Sequence, residues 1–171
     1  AYLDSLTFRF MPETGARNAA VEAGQIHLNE NTDSATAKRL KGNPAFQVVQ
    51  MMPFAQQVIK FNHALTPGSD VNFRRAVALA IDREEMLGVA FPDLYRLDTS
   101  WIFAGSVYHS SRAVPKPDLA AAKAALAKSG YRGEKLAFIV DNDRTNLDTA
   151  TVFQQQMAQI GVVIELKVAD W

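Results

Sequence analysis

The 171-residue sequence predicts an α/β fold, and three observations predict it. Apolar residues recur at helical spacing behind aspartates suited to capping. Phe73, Ala76, Val77, Ala80 and Ile81 follow Asp70, and Leu119, Ala122 and Leu126 follow Asp118. Short runs rich in β-formers stand between the helical stretches. Two strand–helix–strand units are legible, one near each end of the sequence. The second implies a parallel strand pair with a right-handed crossover.

From the amino terminus, residues 6–11 alternate loosely, as a strand does. Thr14 caps a helix to about residue 23, and Gly24 suits the position after its end. Residues 25–28 form a short strand, and residues 33–40 a short helix stopped by Gly42 and Pro44. Residues 46–52 and 57–61 read as strands broken by Pro53. The helix behind Asp70 comes next, and Asp82 starts another through about residue 89. Residues 91–116 carry Pro92, Gly105 and Pro115, with Pro117 just beyond, and show no sustained period, so they read as a long loop. Asp118 caps a helix closed by Gly130. Residues 135–140 form a strand, residues 146–159 a helix ended by Gly161, and residues 162–168 a strand. A parallel pair with one helix leaves an edge and a face uncovered, so the segment reads as part of something larger.

Composition narrows the function. Eighteen basic residues balance eighteen acidic ones, so the chain has no electrostatic footprint for nucleic acid or an anionic membrane. The absence of cysteine removes disulfides, thiolate metal sites and cysteine nucleophiles together. No apolar run approaches the ~20 residues that span a bilayer. The opening residues lack the basic and apolar regions of a signal peptide, as a mature exported protein or an internal segment of one would.

Most catalytic chemistry is missing. There is no Gly-rich phosphate loop, which excludes the ATPase of a transporter and the nucleotide enzymes of those folds. His27, His63 and His109 lie far apart, without a ligand partner one helical turn away, so no metal is expected. Ser106 lacks the second glycine of a nucleophile elbow. Asp141-Asn142-Asp143 resembles the start of a calcium loop, but no closing glutamate follows, and it reads as a polar turn before a helix. Trp101 and Tyr108 read as aromatics anchoring the long loop to its own domain. No nucleophile, base and orienting group occur together, so no enzyme and no cofactor are expected.

Two stretches resemble a known family. The first is Phe61-Asn62, Pro67, then Asp70-Val71-Asn72-Phe73-Arg74-Arg75-Ala76-Val77, ending Ala80-Ile81-Asp82-Arg83. The second is Asp118-Leu119-Ala120-Ala121-Ala122-Lys123, Leu126, Gly130-Tyr131 and Gly133, followed by residues 154–159 and Ile160-Gly161-Val162. A weaker element runs from Ala16-Arg17 to Gly24-Gln25-Ile26, with His27 where the family usually has Asp. In order and spacing these resemble the extracytoplasmic solute-binding proteins for peptides and nickel, the oligopeptide/dipeptide-binding group of ABC importers.

That resemblance implies a two-lobed, Venus-flytrap architecture with mixed sheets flanked by helices. Residues 1–57 would form part of the first lobe with the crossing segment, and residues 58–171 the first part of the second lobe. The implied function is binding of a small solute, a peptide first, and its delivery to ABC permease subunits. The implied place is the periplasm, or the cell exterior on a lipid anchor. The implied ligand contacts lie on the crossing segment, at Phe54, Gln56 and Gln57. The capping and packing residues of the motifs read as structural, with Asp70 and Arg74 expected to pair one turn apart. Some relatives carry this module as the sensor of a transcription regulator, which is the alternative reading. A helix-turn-helix preceding residue 1 would decide for it, and a signal peptide there against it.

Overall fold

The computed structural model describes residues 2–49, 57–92, 95–97, 102, 106–109 and 112–169. The chain divides into two compact units, Ala1–Met52 and Pro53–Trp171.

The first unit holds α1 (Thr14–Glu22) and α2 (Ser34–Leu40). Asp33 caps α2 by accepting from Thr36 N–H at 3.0 Å. The capping expected of Thr14 is not made. Glu13 occupies that position without a side-chain bond, and Thr14 Oγ1 instead accepts from Arg17 at 2.9 Å. Gly24 ends α1 at φ 68°, a left-handed conformation open to glycine. Asn18 is buried and carries the polar core of this unit. Its Nδ2 donates to Asp33 Oδ2 and Thr36, while its Oδ1 accepts from Asn29 at 3.0 Å. Outside that core, Arg39 of α2 grips Glu22 of α1 through two 2.7 Å bonds.

The second unit holds α3 (Val71–Ala80), α4 (Arg83–Ala90), α5 (Leu119–Ala127), β1 (Leu136–Val140), α6 (Arg144–Gln159) and β2 (Ile164–Val168). Asp70, Asp82, Asp118 and Asp143 cap the four helices with their carboxylates. β1 and β2 pair in parallel, with Leu136 opposite Ile164 and Val140 opposite Val168. The helix between them starts at Arg144, earlier than the apolar period suggests, because Asp143 supplies the cap. The apolar face of α3 packs on α5 and on α6, burying Phe73, Ala76, Val77 and Ala80. Met157, Val77 and Val162 are fully buried at the centre of this core. Phe73 packs edge-on against Phe61 and tilted against Tyr131, with ring centres 6.3 and 5.6 Å apart. The buried Tyr131 hydroxyl donates to Glu134 O and accepts from Val163 N–H, so its polar end is satisfied where β1 and β2 begin.

Four expected strands are not formed among the described residues. Residues 6–11, 25–28, 46–49 and 57–61 adopt no regular structure, and residues 50–52 lie outside the described set. A strand exists only with a partner for its N–H and C=O groups. No described segment pairs with these runs, and their apolar side chains stay outside: Leu6, Phe8, Phe10, Leu28 and Val49 are exposed.

The motif between Asn62 and Asp70 folds into a tight loop. Asn62 Oδ1 accepts from Ala64 N–H, Leu65 O accepts from Ser69 N–H, and Pro67, joined through a cis peptide, is buried. The expected hydrogen-bonded pair between Asp70 and Arg74 is not made. Arg74 Nη1 reaches back to the carbonyls of Gly68 and Ser69, both at 2.9 Å, because Asp70 is turned toward other donors.

Candidate functional site

Of the three residues expected to meet ligand, Phe54 and Gln56 lie outside the described residues. Gln57 is exposed, and its Nε2 donates to Asn146 Oδ1 at 3.0 Å across 89 residues of sequence.

The local sequence explains why Asn146 is there. β1 ends at Val140, level with the end of β2, where Ala169 N–H donates to Val140 O at 2.9 Å. Asp141 comes next and turns the chain by accepting from Asp143 N–H at 3.1 Å. Asp143 then caps α6, accepting from Thr145 N–H at 2.9 Å. This puts Asn146 on the first turn of α6, over Asp141. Both Asp141 oxygens accept from Asn146 Nδ2 at 2.9 Å. The calcium-like triplet is therefore a polar turn before a helix, as its spacing suggests. Beside it, Arg144 Nε binds both oxygens of Asp148 one turn later, at 3.0 and 2.9 Å.

Gln57, Asn146 and Asp141 thus meet at the carboxyl end of a parallel strand pair. In open α/β sheets ligands gather outside that end of the strands. The groups presented are amides and carboxylates, which suit a polar ligand with its own N–H and C=O groups. Sequence reasoning missed Asn146 and Asp141 as partners of Gln57. The usable signal was their position immediately after β1, combined with that rule.

A second polar cluster is structural. Gln156, buried on α6, accepts from Asp82 N–H and donates to Asp82 O, both at 3.1 Å, and it donates to Glu85 at 2.6 Å. It lines a cavity of about 210 Å³ with Ala80, Asp82, Glu85, Pro117, Leu119 and Gln159. His109 binds Ile102 O through Nδ1, and Tyr108 is exposed, while Trp101 lies outside the described residues. Among the described residues no helix is long and apolar enough to cross a membrane.

The profile described as "Bacterial extracellular solute-binding proteins, family 5 Middle" matches residues 1–171. The chain belongs to that family. It is 24% identical over 196 residues to the oligopeptide-binding protein AppA of Bacillus subtilis, an alignment covering 99% of this chain and 34% of AppA. It is 26% identical over 171 residues to the glutathione-binding protein GsiB of Pectobacterium atrosepticum, covering 98% of this chain and 33% of GsiB. The solved structure of AppA in complex with a nonapeptide matches with a TM-score of 0.80 at 20% identity, over 94% of this chain and 35% of AppA. NikZ from Campylobacter jejuni, solved with Ni(L-His), matches with a TM-score of 0.77 at 18% identity, over 92% of this chain and 34% of NikZ. The chain spans about a third of the length of the family members it matches. Its α/β fold is part of the two-lobed periplasmic-binding-protein architecture those structures share.

Proposed function

We propose that this chain is part of an extracytoplasmic solute-binding protein that captures a peptide and hands it to an ABC importer, without a catalytic step. The family match along all 171 residues carries this reading. Residues 1–57 then belong to the first lobe and the crossing segment, and residues 58–171 to the second lobe. The whole protein works in the periplasm, or outside the cell on a lipid anchor, beside its permease subunits. The ligand contacts belong to the crossing segment, at Phe54, Gln56 and Gln57, with one of the two adjacent glutamines turned to the ligand, since successive residues of an extended chain point to opposite sides.

Support for the peptide comes from the specificities in the names of AppA and GsiB, an oligopeptide and glutathione. The amide of Gln57 at the carboxyl end of β1 agrees with it, since an amide both donates and accepts, as a peptide backbone does. The test is mass spectrometry of the ligand that co-purifies with the full-length protein, followed by calorimetry of that ligand on the Q57A variant. A peptide and a loss of affinity are expected. A nickel chelate or a sugar in place of a peptide would overturn the specificity. Recovery of the protein in the cytosol, fused to a DNA-binding domain, would overturn the transport role.

A further inference from the structure

We propose that Asp141, acting through Asn146, sets the orientation of the Gln57 amide and so makes Gln57 an acceptor for a ligand N–H. The inference rests on the reading of Gln57 as a ligand contact and adds to it two positioning residues that do not themselves touch the ligand.

Donors and acceptors decide the orientation. A primary amide is nearly symmetrical in shape, and an exposed one rotates freely between its two orientations. An ionised carboxylate has no such ambiguity, because it only accepts. Both Asp141 oxygens face Asn146 at 2.9 Å, so Asn146 must turn its NH2 toward them. Its Oδ1 is then aimed away, and at 3.0 Å from it stands the Gln57 side chain. Only a donor satisfies that oxygen, so Gln57 presents Nε2 to Asn146 and leaves Oε1 on its other side. The polarity of a fixed carboxylate is thereby passed through two amides to an exposed side chain. Asp141 is itself held, since Oδ1 also accepts from Asp143 N–H and the residue follows directly on β1. The chain of contacts ties Gln57 to a rigid strand–helix junction 89 positions away. A ligand reaching Gln57 therefore meets an acceptor whose orientation is already chosen, and it gains by offering a peptide N–H.

D141N removes the acceptor-only partner with little change of shape. Asn146 can then turn either way, and Gln57 with it. N146A removes the link altogether. The experiment measures, in the full-length protein, the affinities of trialanine and of its analogues methylated singly at each peptide nitrogen. Wild type is expected to lose about three- to tenfold on methylation of one particular nitrogen, the value of one neutral hydrogen bond. In D141N and N146A that ratio should fall toward one, with melting temperatures showing both variants folded. A purely structural role would lower stability and leave the ratio intact. A ratio unchanged in both variants, while Q57A weakens trialanine, would overturn the positioning and leave Gln57 as a contact. An unaltered affinity in Q57A, or no binding of trialanine at all, would remove the contact and the inference together. Should D141N fail to fold, N146A alone decides, since Asn146 caps nothing and its loss spares the α6 cap.

Discussion

Asp70 divides its two carboxylate oxygens between two different helices. Oδ1 accepts from Asn72 N–H at 2.7 Å and caps α3, while Oδ2 accepts from Gly130 N–H at 2.8 Å, just past the end of α5. A cap is usually a local device. Here it also joins the two helices whose small residues, Ala76, Ala80 and Ala122, let them pack closely. The two N–H groups, Gly130 first and Asn72 second, hold the Asp70 carboxyl below its ordinary value of 3.8.

Replacing Asp70 tests that double role. In D70N one oxygen becomes an NH2 donor, which then faces a backbone N–H whichever way the amide turns. An ordinary cap accepts Asn as readily as Asp, but this position should not, and D70N should melt well below wild type. The folded pKa lies below the unfolded one, so the charge stabilises the fold above pH 3.8 and that contribution is lost as pH falls through the folded value. Asp33 acts in the same direction in the other unit. Its partial burial raises the pKa, but bonds from Thr36, Asn18 and Ala35 together outweigh that and lower it. Melting curves from pH 7 to pH 3 should show wild type losing stability in acid and D70N losing less. Equal acid sensitivity would refute the assignment.

Gly68 should tolerate no side chain. A Cβ built there would collide with the backbone oxygen of Asn62 and stand 3.3 Å from Leu65 O. Both obstacles are main chain, inside a loop closed by Ser69 N–H on Leu65 O at 2.8 Å. G68A is expected to cost about 1–3 kcal/mol, the range for forced overpacking, by denaturant titration. A loss near zero would mean that the loop opens freely.

Gln156 is expected to matter for stability through its partners. Q156L keeps the bulk but leaves Asp82 N–H and C=O without their side-chain partner, at about 1–3 kcal/mol for unpaired buried groups. Q156E should be no better, since its carboxylate would face Glu85, now 2.6 Å from Nε2. Denaturant titration of both variants checks this. A wild-type midpoint for Q156E would contradict the geometry.

The residues that decided the helices act locally, which is why they were legible. Asp33, Asp70, Asp82 and Asp118 each cap the helix directly after them, and Gly24 and Gly161 adopt the positive φ their positions suggest, 68° and 87°. β1 and β2 were legible because the α6 period lies between them, and in the structure Phe138 and Phe153 pack across the unit, 5.0 Å apart. The other expected strands are not formed among the described residues, because Phe8, Phe10 and Val58 carry a strand's composition without a described partner to bond. The site was half legible. Gln57 was named as a candidate by resemblance, whereas its bond to Asn146 spans 89 residues and no local pattern announces it. The pairing expected of Arg74 failed for a related reason. Helical spacing puts it near Asp70, but Asn72 and Gly130 already occupy that carboxylate.

Arg74 and Asp82 separate fold from specificity within the family motif. Arg74 satisfies the Gly68 and Ser69 carbonyls with one guanidinium nitrogen, bracing the loop that enters α3. Asp82 caps α4 by accepting from Glu85 N–H at 3.0 Å, and its own backbone is held by Gln156. No hydrogen bond joins either of them to Gln57, Asn146 or Asp141. D82A should cost about 0.5–2 kcal/mol, the range for a lost cap. R74A should also destabilise, since two carbonyls lose a charged donor. R74K should rescue part of that loss, because an ammonium keeps the charged donor but sits on a shorter side chain than the Arg74 Nη1 that reaches both carbonyls. In the full-length protein both alanine variants should melt lower while binding the co-purified ligand as wild type does at a temperature where all are folded. A variant that melts normally yet binds a different ligand would show that these motif residues reach the site, and the division between scaffold and contact drawn from the structure would fail.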